Sequence, residues 1–570
     1  MTGNDFPSAT GHLCLPERST TERNIAALVF IGSLLYLYLF RLYTMMDPDE
    51  GIILQGAERI LHGQTPYRDF FSFYTPGSYY LTAALFKLLG DSLPVARTAL
   101  AAAGSVISAL TYLVARRVCS RGVALLAAAL TTLTCLPYRF LVLHNWDSTL
   151  WAMLALYSAV RYVEEPRGRR ALALGSLASV TILFEQSKGA GLVLGLATGL
   201  GLLALASRRG GRRPGESAED EAPRPAHLVA MAAGCAWPFL IVFAWFAHER
   251  ALTPMLADWL WPLHHYSRAN SVPYGYQNWS DASRATILSS QGWGPRLLTL
   301  LMLAPCFLVP VLPLVGAGVL ARLSLRAVHA SRAGRAKALG SRSRHYLLVS
   351  AVLTGLLVSV LAVRPDIIHF MYLAPFFYLV LAWILDGHDV PSSLFCKLRG
   401  ALRVLIVVCF ALFAATLALR DLTAGVPIQT RRGAVRAPAP DQVLDEVQPE
   451  LRAGSSMLVY PYLPLYYYLT ATFAPGSYDF VQPGMHTPAQ LAEAVDSLAA
   501  NRTPVALYEY EFAEKIPNAW PHTPIGVIAR DPVGDYLIAH YASCGVLKSA
   551  AGWRFLFMVR KDLKCPANTP

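Results

Sequence analysis

Charge is scarce in this chain: Asp, Glu, Lys and Arg make up 15% of its 570 residues, while 54% are hydrophobic. So few charges cannot cover the surface of a water-soluble protein of this size, so a polytopic membrane protein is left. Other absences narrow the field. A glycine-rich phosphate loop, a nucleophile elbow and a Cys-x-x-Cys pair are all missing, which argues against a nucleotide-driven domain or a soluble hydrolase. There is no internal repeat, and the matched halves common among transporters are therefore missing too. The first apolar run lacks a small-residue cleavage site, so it reads as a retained helix and not as a signal peptide. Cysteines are few. Of nine, only Cys544 and Cys565 fall in the outer C-terminal region, where an oxidising periplasm permits a disulfide that the residues alone leave open.

What is present is a series of eleven apolar runs: 25–44, 94–115, 122–137, 146–162, 171–185, 189–206, 228–247, 297–320, 346–363, 371–385 and 401–420. Lys and Arg in short loops set the orientation. Arg116, Arg117 and Arg121 share a side with Arg161, Arg167, Arg169, Arg170, with Arg208 to Arg213, and with the basic stretch Arg322 to Arg344. That side is cytoplasmic. Segments 45–93, 138–145, 186–188, 248–296, 364–370 and 421–570 then lie outside, in the periplasm of a bacterial inner membrane. The parity requires that residues 76–90 do not cross, and about fifteen residues is short for a span. The net charge of +12 follows from the inside bias; its partner is the anionic inner leaflet, and nucleic acid is not implied.

The predicted organisation is a cytoplasmic tail over 1–24, a transmembrane unit over 25–420 and a small periplasmic α/β domain over 421–570. Residues 207–227 and the basic stretch 321–345 read as linkers. In the last domain, Ser456–Tyr460, Pro504–Tyr508 and Trp553–Val559 have the composition of short buried strands. Thr487-Pro488 opens an amphipathic helix that runs to Ala500. The aromatic stretch from Tyr460 to Thr470 is expected to pack on the bundle.

Directly after the first span stands Asp47-Pro48-Asp49-Glu50. Asp at N-cap, Pro at N1 and Glu at N3 make a capping box for a helix over 48–62 that Gly63 ends. Capping accounts for Asp47, Pro48 and Glu50. It has no need of Asp49, and carboxylates are costly beside hydrocarbon unless they work.

The run Asp49-Glu50-Gly51, then Gly56 through Asp69, Pro76-Gly77-Ser78-Tyr79-Tyr80-Leu81, Phe86-Lys87-Leu88-Leu89-Gly90 and Arg97 resembles the first outer loop of GT-C membrane glycosyltransferases. Within them it is similar to the protein O-mannosyltransferase and aminoarabinose transferase branch. The resemblance implies an all-α membrane bundle and an enzyme that takes a sugar from a polyprenyl-phosphate carrier at the outer face, with inversion. It maps the catalytic carboxylate onto Asp49, with Glu50 beside it. The sharp motif covers about fifty residues. One departure stands out: relatives often carry Lys-Pro-Pro where this chain has Thr75-Pro76-Gly77, so a phosphate-binding lysine is missing, with Lys87 as a substitute only if the register shifts.

A leaving phosphate needs cations at close range. Arg364-Pro365-Asp366-Ile367-Ile368-His369 resembles an Arg-x-Asp-x-x-His stretch of the same branch, which implies donor-phosphate roles for Arg364 and His369; Lys188 is the reserve cation. The corresponding ordinary readings are an Arg364–Asp366 pair and a snorkelling lysine. His144, Asp147, Tyr67, Arg68 and Asp69 are the expected contacts to the acceptor. His264 and His265 point different ways and lack a third ligand, so no zinc site is read there. The neighbouring Trp259, Trp261, Tyr266, Tyr274, Tyr276 and Trp279 fit an interfacial belt or a sugar and lipid platform equally well. The expected reaction needs no cofactor, although acids near the site could bind a divalent metal. Its substrates are a polyprenyl-phosphate sugar and a lipid, glycan or protein acceptor. The competing classes are a flippase of lipid-linked sugars and a non-catalytic envelope-assembly scaffold.

Overall fold

The computed structural model describes residues 20–209, 225–278, 292–332, 341–386, 393–423 and 425–566, with residues 285, 288 and 289. In chain order its bundle helices are α1 (Thr20–Leu42), α2 (Pro48–Leu61), α3 (Gly77–Leu89), α4 (Leu93–Ala115), α5 (Arg121–Tyr138), α6 (His144–Glu164), α7 (Gly168–Phe184), α8 (Gln186–Ala206), α9 (Pro225–His248), α10 (Leu252–Trp261), α11 (Trp293–Leu325), α12 (Ser341–Val363), α13 (Ile367–Asp386) and α14 (Leu398–Thr423). Among the described residues, all of these except α2, α3, α6, α7 and α10 are long and apolar enough to cross a membrane, nine in number. Helices α6 and α7 occupy the remaining two expected spans; α6 is more polar and α7, at 17 residues, is short. Close approach comes from small residues: a Cβ on Gly355 of α12 would sit 2.2 Å from the Gly191 carbonyl of α8.

The fold is therefore an all-α polytopic bundle. Helix α3 has 13 residues, about 20 Å of rise, which falls short of a hydrocarbon core of about 30 Å, as the parity required. The stretch 321–345 is corrected in part: its first residues continue a helix through to Arg332, and only 333–340 lie outside the described residues. Most of the 207–227 linker and most of the N-terminal tail also lie outside them.

The C-terminal region holds a hairpin, β1 (Val426–Thr430) with β2 (Gly433–Ala437), and a four-stranded sheet in the order β3-β4-β6-β5. Strands β3 (Leu458–Tyr460) and β4 (Val505–Tyr508) are parallel, and β6 (Arg554–Arg560) is antiparallel to β4 and to β5 (Tyr541–Lys548). The sequence reading missed β5, whose Ala-Ser-Cys-Gly stretch has weak strand propensity and carries a bulge. The helix at Pro488–Ala500 has the expected cap, with Thr487 and Gln490 bonded reciprocally. Cys544 and Cys565 form a disulfide.

A tight seam joins this region to the bundle. A Cβ on Gly51 would lie 2.1 Å from the Leu465 nitrogen, so only glycine lets α2 meet the helix Leu465–Thr470. Tyr468 stacks on Phe86 of α3 at 5.7 Å, and Arg59 of α2 donates to Asp479 at 2.8 Å. The aromatic stretch packs as expected.

Candidate functional site

A cavity of about 700 Å³ lies beneath the C-terminal region. It is lined by Asp47, Asp49 and Tyr74 of the first outer segment, Arg139 between α5 and α6, His144 at the start of α6, Glu185 between α7 and α8, Arg364 and Asp366 between α12 and α13, and His369 in the first turn of α13. Tyr462, Lys515 and Trp520 close it from above. Segments that Lys/Arg counting placed on one side of the membrane thus meet at one end of the bundle.

Helix α2 begins with its cap: the Asp47 carboxylate accepts from the Asp49 nitrogen at 3.0 Å. At the second helical position Asp49 turns into the cavity, its side chain 38% exposed. One of its oxygens accepts from Arg139 Nη2 at 2.8 Å, and the other from the Tyr462 hydroxyl at 2.6 Å. The same Arg139 nitrogen contacts both Asp47 oxygens at 2.8 Å. Burial pushes the Asp47 carboxyl up, to about 6, against the opposing pull of Arg139.

The reciprocal capping box does not form, because Glu50 turns away. It is 0% exposed, accepts from Arg97 Nε at 2.9 Å and from the Val142 nitrogen at 3.0 Å, and has no place in the cavity wall. Glu50 braces Arg97 in the interior, and the structure does not bring it to the cavity beside Asp49 as expected. A residue one position further along a helix is rotated by about 100°, enough to send the two carboxylates to different faces.

Arg364 reaches the cavity but is heavily engaged: Nε donates to Asp366 at 2.6 Å, Nη1 to Asn270 at 2.9 Å and Nη2 to the Ala519 carbonyl at 2.6 Å. It therefore also fastens the C-terminal region to the bundle. His369 lines the cavity with Nδ1 held by Asp366 at 2.7 Å. Burial raises the Asp366 carboxyl, but His369 and Arg364 overcome this and hold it well below the ordinary carboxylate range.

Other expected residues fall elsewhere. Lys188 is buried and saturated by Glu185, the Asn145 carbonyl, Ser148 and Thr149, so it is not available to a donor phosphate. Glu185 is raised by burial, yet Lys188, His144 and Ser148 bring it down to about 2. Lys87 is exposed on α3 and does not line the cavity. Asp147 accepts from Ser78 at 2.6 Å away from the cavity. Tyr67 is buried against Phe246, and Arg68 pairs with both Asp69 and Glu249 near the surface. Of the expected acceptor contacts only His144 lines the cavity, its ring 4.2 Å from that of Tyr74 and its buried Nδ1 unpartnered. Trp259 and Tyr266 line it as well, Trp261 stacks on Phe73 at 5.4 Å, and Trp279 lies outside the described residues. Among the described residues no group of three His, Cys, Asp or Glu is arranged to hold a metal ion.

Sequence reasoning missed Arg139, Tyr462, Lys515 and Trp520. Arg139 carried a signal, being an arginine in an outer loop otherwise poor in cations. Tyr462 stood inside a stretch read only as packing.

Residues 74–214 match the sequence profile of the family described as dolichyl-phosphate-mannose-protein mannosyltransferase. The structure is similar to that of ArnT from Cupriavidus metallidurans bound to undecaprenyl phosphate, with 14% identity, a TM-score of 0.50, and coverage of 96% of this chain and 98% of that one. It is also similar to the oligosaccharyltransferase AglB from Archaeoglobus fulgidus in complex with an inhibitory peptide and a dolichol-phosphate, at 11% identity and a TM-score of 0.47, over 96% of this chain and 76% of that one. No curated protein matches the sequence. The bundle thus shares the fold of ArnT, and the sequence match to the mannosyltransferase family is confined to residues 74–214.

Proposed function

We propose that this protein, which has the fold of ArnT and a mannosyltransferase-like segment, is a GT-C glycosyltransferase that transfers a sugar from a polyprenyl-phosphate donor to a lipid, glycan or protein hydroxyl at the periplasmic face of an inner membrane. The observation that carries the reading is Asp49: it is half-open to the cavity and oriented by two donors, while its neighbour Glu50 is sealed away. The undecaprenyl phosphate in ArnT supports the choice of carrier.

In the proposed step the acceptor oxygen attacks the anomeric carbon from the face opposite the phosphate, and its proton passes to the Asp49 carboxylate. The bond from anomeric carbon to phosphate oxygen breaks, and its electron pair stays on that oxygen, so the carrier leaves as a phosphate dianion. Arg139 and Tyr462 keep the carboxylate aimed during the attack. A positioned base of this kind contributes roughly 10² to 10⁴ in rate. Arg364 and His369 line the cavity where they could offset charge on the departing phosphate, often the larger electrostatic contribution.

The test is Asp49→Asn in reconstituted membranes supplied with polyprenyl-phosphate sugars. Transfer should fall at least about a hundredfold with donor binding nearly intact. Transfer at the parental rate would remove Asp49 from the chemistry.

A further inference from the structure

A leaving phosphate dianion needs a cation free to meet it, and the cations expected from the bundle are largely committed. Lys188 is saturated, Lys87 lies outside the cavity, and Arg364 holds Asp366, Asn270 and Ala519. One lysine does line the cavity, and it comes from the C-terminal region: Lys515, on the helix Phe512–Ala519, with its side chain 39% exposed.

Its setting is continuous with that of Asp49. Tyr462, which donates to Asp49, packs edge-on against Trp520 at 5.9 Å and lies 6.4 Å from Phe512. Phe512 stacks on Trp553 at 6.2 Å, and Lys515 Nζ lies 4.8 Å from the Trp553 ring. One aromatic wall therefore runs from the base to the lysine. Behind the lysine stands Glu509, 1% exposed, which pairs with Lys515 and whose other oxygen is buried without a partner.

Resting on the reading above, we infer that Lys515 is a substrate-binding residue that takes the phosphate of the polyprenyl carrier, binding the dianionic product more strongly than the monoanionic donor. The lysine reaches the phosphate on its flexible stem, leaving Glu509 for the stronger charge, while Trp553 guides the stem. Burial raises the Glu509 carboxyl against the opposing pull of Lys515. A phosphate held from the C-terminal region also ties product release to that region's seat on the bundle.

The experiment measures binding of polyprenyl phosphate to the full-length protein in nanodiscs. Lys515→Met should weaken binding about tenfold, and Lys515→Arg should restore most of it. Glu509→Gln should leave binding unchanged or tighten it, because it frees the lysine; an ion pair that is only structural would make Lys515→Met and Glu509→Gln equally harmful. Lys515→Met combined with Glu509→Gln removes both charges, guards against loss of folding, and should bind as weakly as Lys515→Met alone. If the parental protein binds and Lys515→Met binds equally well, Lys515 has no phosphate role. A raised acceptor KM with unchanged polyprenyl phosphate affinity would assign the lysine to an anionic acceptor and overturn the inference. Absence of binding by the parental protein would instead remove the proposed carrier itself.

Discussion

The cavity and the seam beside it use the same residue types to opposite ends. In the seam, Glu58 meets Arg432 and Arg59 meets Asp479, and in the bundle beside it Glu50 meets Arg97; in each pair at least one side chain is almost wholly buried. In the cavity, Asp49, His369 and Lys515 keep part of their surface open, each steadied by a single neighbourhood of partners. A closed pair holds two pieces of chain together. An open one keeps a charge available to something that is not yet there.

The largest expected difference comes from exchanging two adjacent carboxylates for amides. Asp49→Asn should cut transfer at least about a hundredfold at a cost of roughly 0.3 to 1 kcal/mol in stability, since one acid leaves the first turn of α2. Glu50→Gln should do the reverse, because an Arg97 left uncompensated in the interior costs about 3 to 5 kcal/mol; melting temperature and membrane yield should fall while surviving molecules stay active. If Glu50→Gln folds normally and is inactive, the contrast between the regions fails.

Arg364 bridges the two regions and should show both effects. Its replacement by Ala should reduce transfer more than tenfold and loosen the C-terminal region, detectable as faster proteolysis between the bundle and that region, whereas Lys keeps the charge, loses the fork and retains part of the activity. Full transfer by Arg364→Ala at normal protein levels would leave the arginine a fastener alone. A smaller effect is expected from Tyr462→Phe, which deletes one hydrogen bond to a charged carboxylate: about 1.5 kcal/mol, or a tenfold lower kcat with donor KM little changed.

The last effect is one of pH, and it bears on stability and not on transfer. The Glu185 carboxyl is brought from 4.5 to about 2 in the folded protein, so its contribution to stability is fully present above pH 4.5 and is lost as pH falls from there toward 2. Melting of the parental protein should weaken across that window, and Glu185→Gln should flatten the slope. Identical slopes would mean that the carboxylate is not held by its neighbours.

Composition and Lys/Arg placement were enough to read the bundle, the segments gathered at one end, the short α3 and the cap of α2, because each depends on local chemistry: apolar length, loop charge and the first turn of a helix. Asp49 stood out as an acid that the capping reading left over, and the resemblance pointed to it; the structure puts it on the cavity wall, and shows that Glu50, read as part of the cap, does not cap the helix either. What the chain alone could not decide was which neighbour each charge would face. Arg97 lies 47 positions from Glu50, Arg139 lies 90 from Asp49, and Tyr462 lies 413 from Asp49. Partners so distant in sequence leave no periodicity or spacing to read. Only packing of α2 against both the bundle and the C-terminal region turned one carboxylate into an interior brace and the next one into the open group of a cavity.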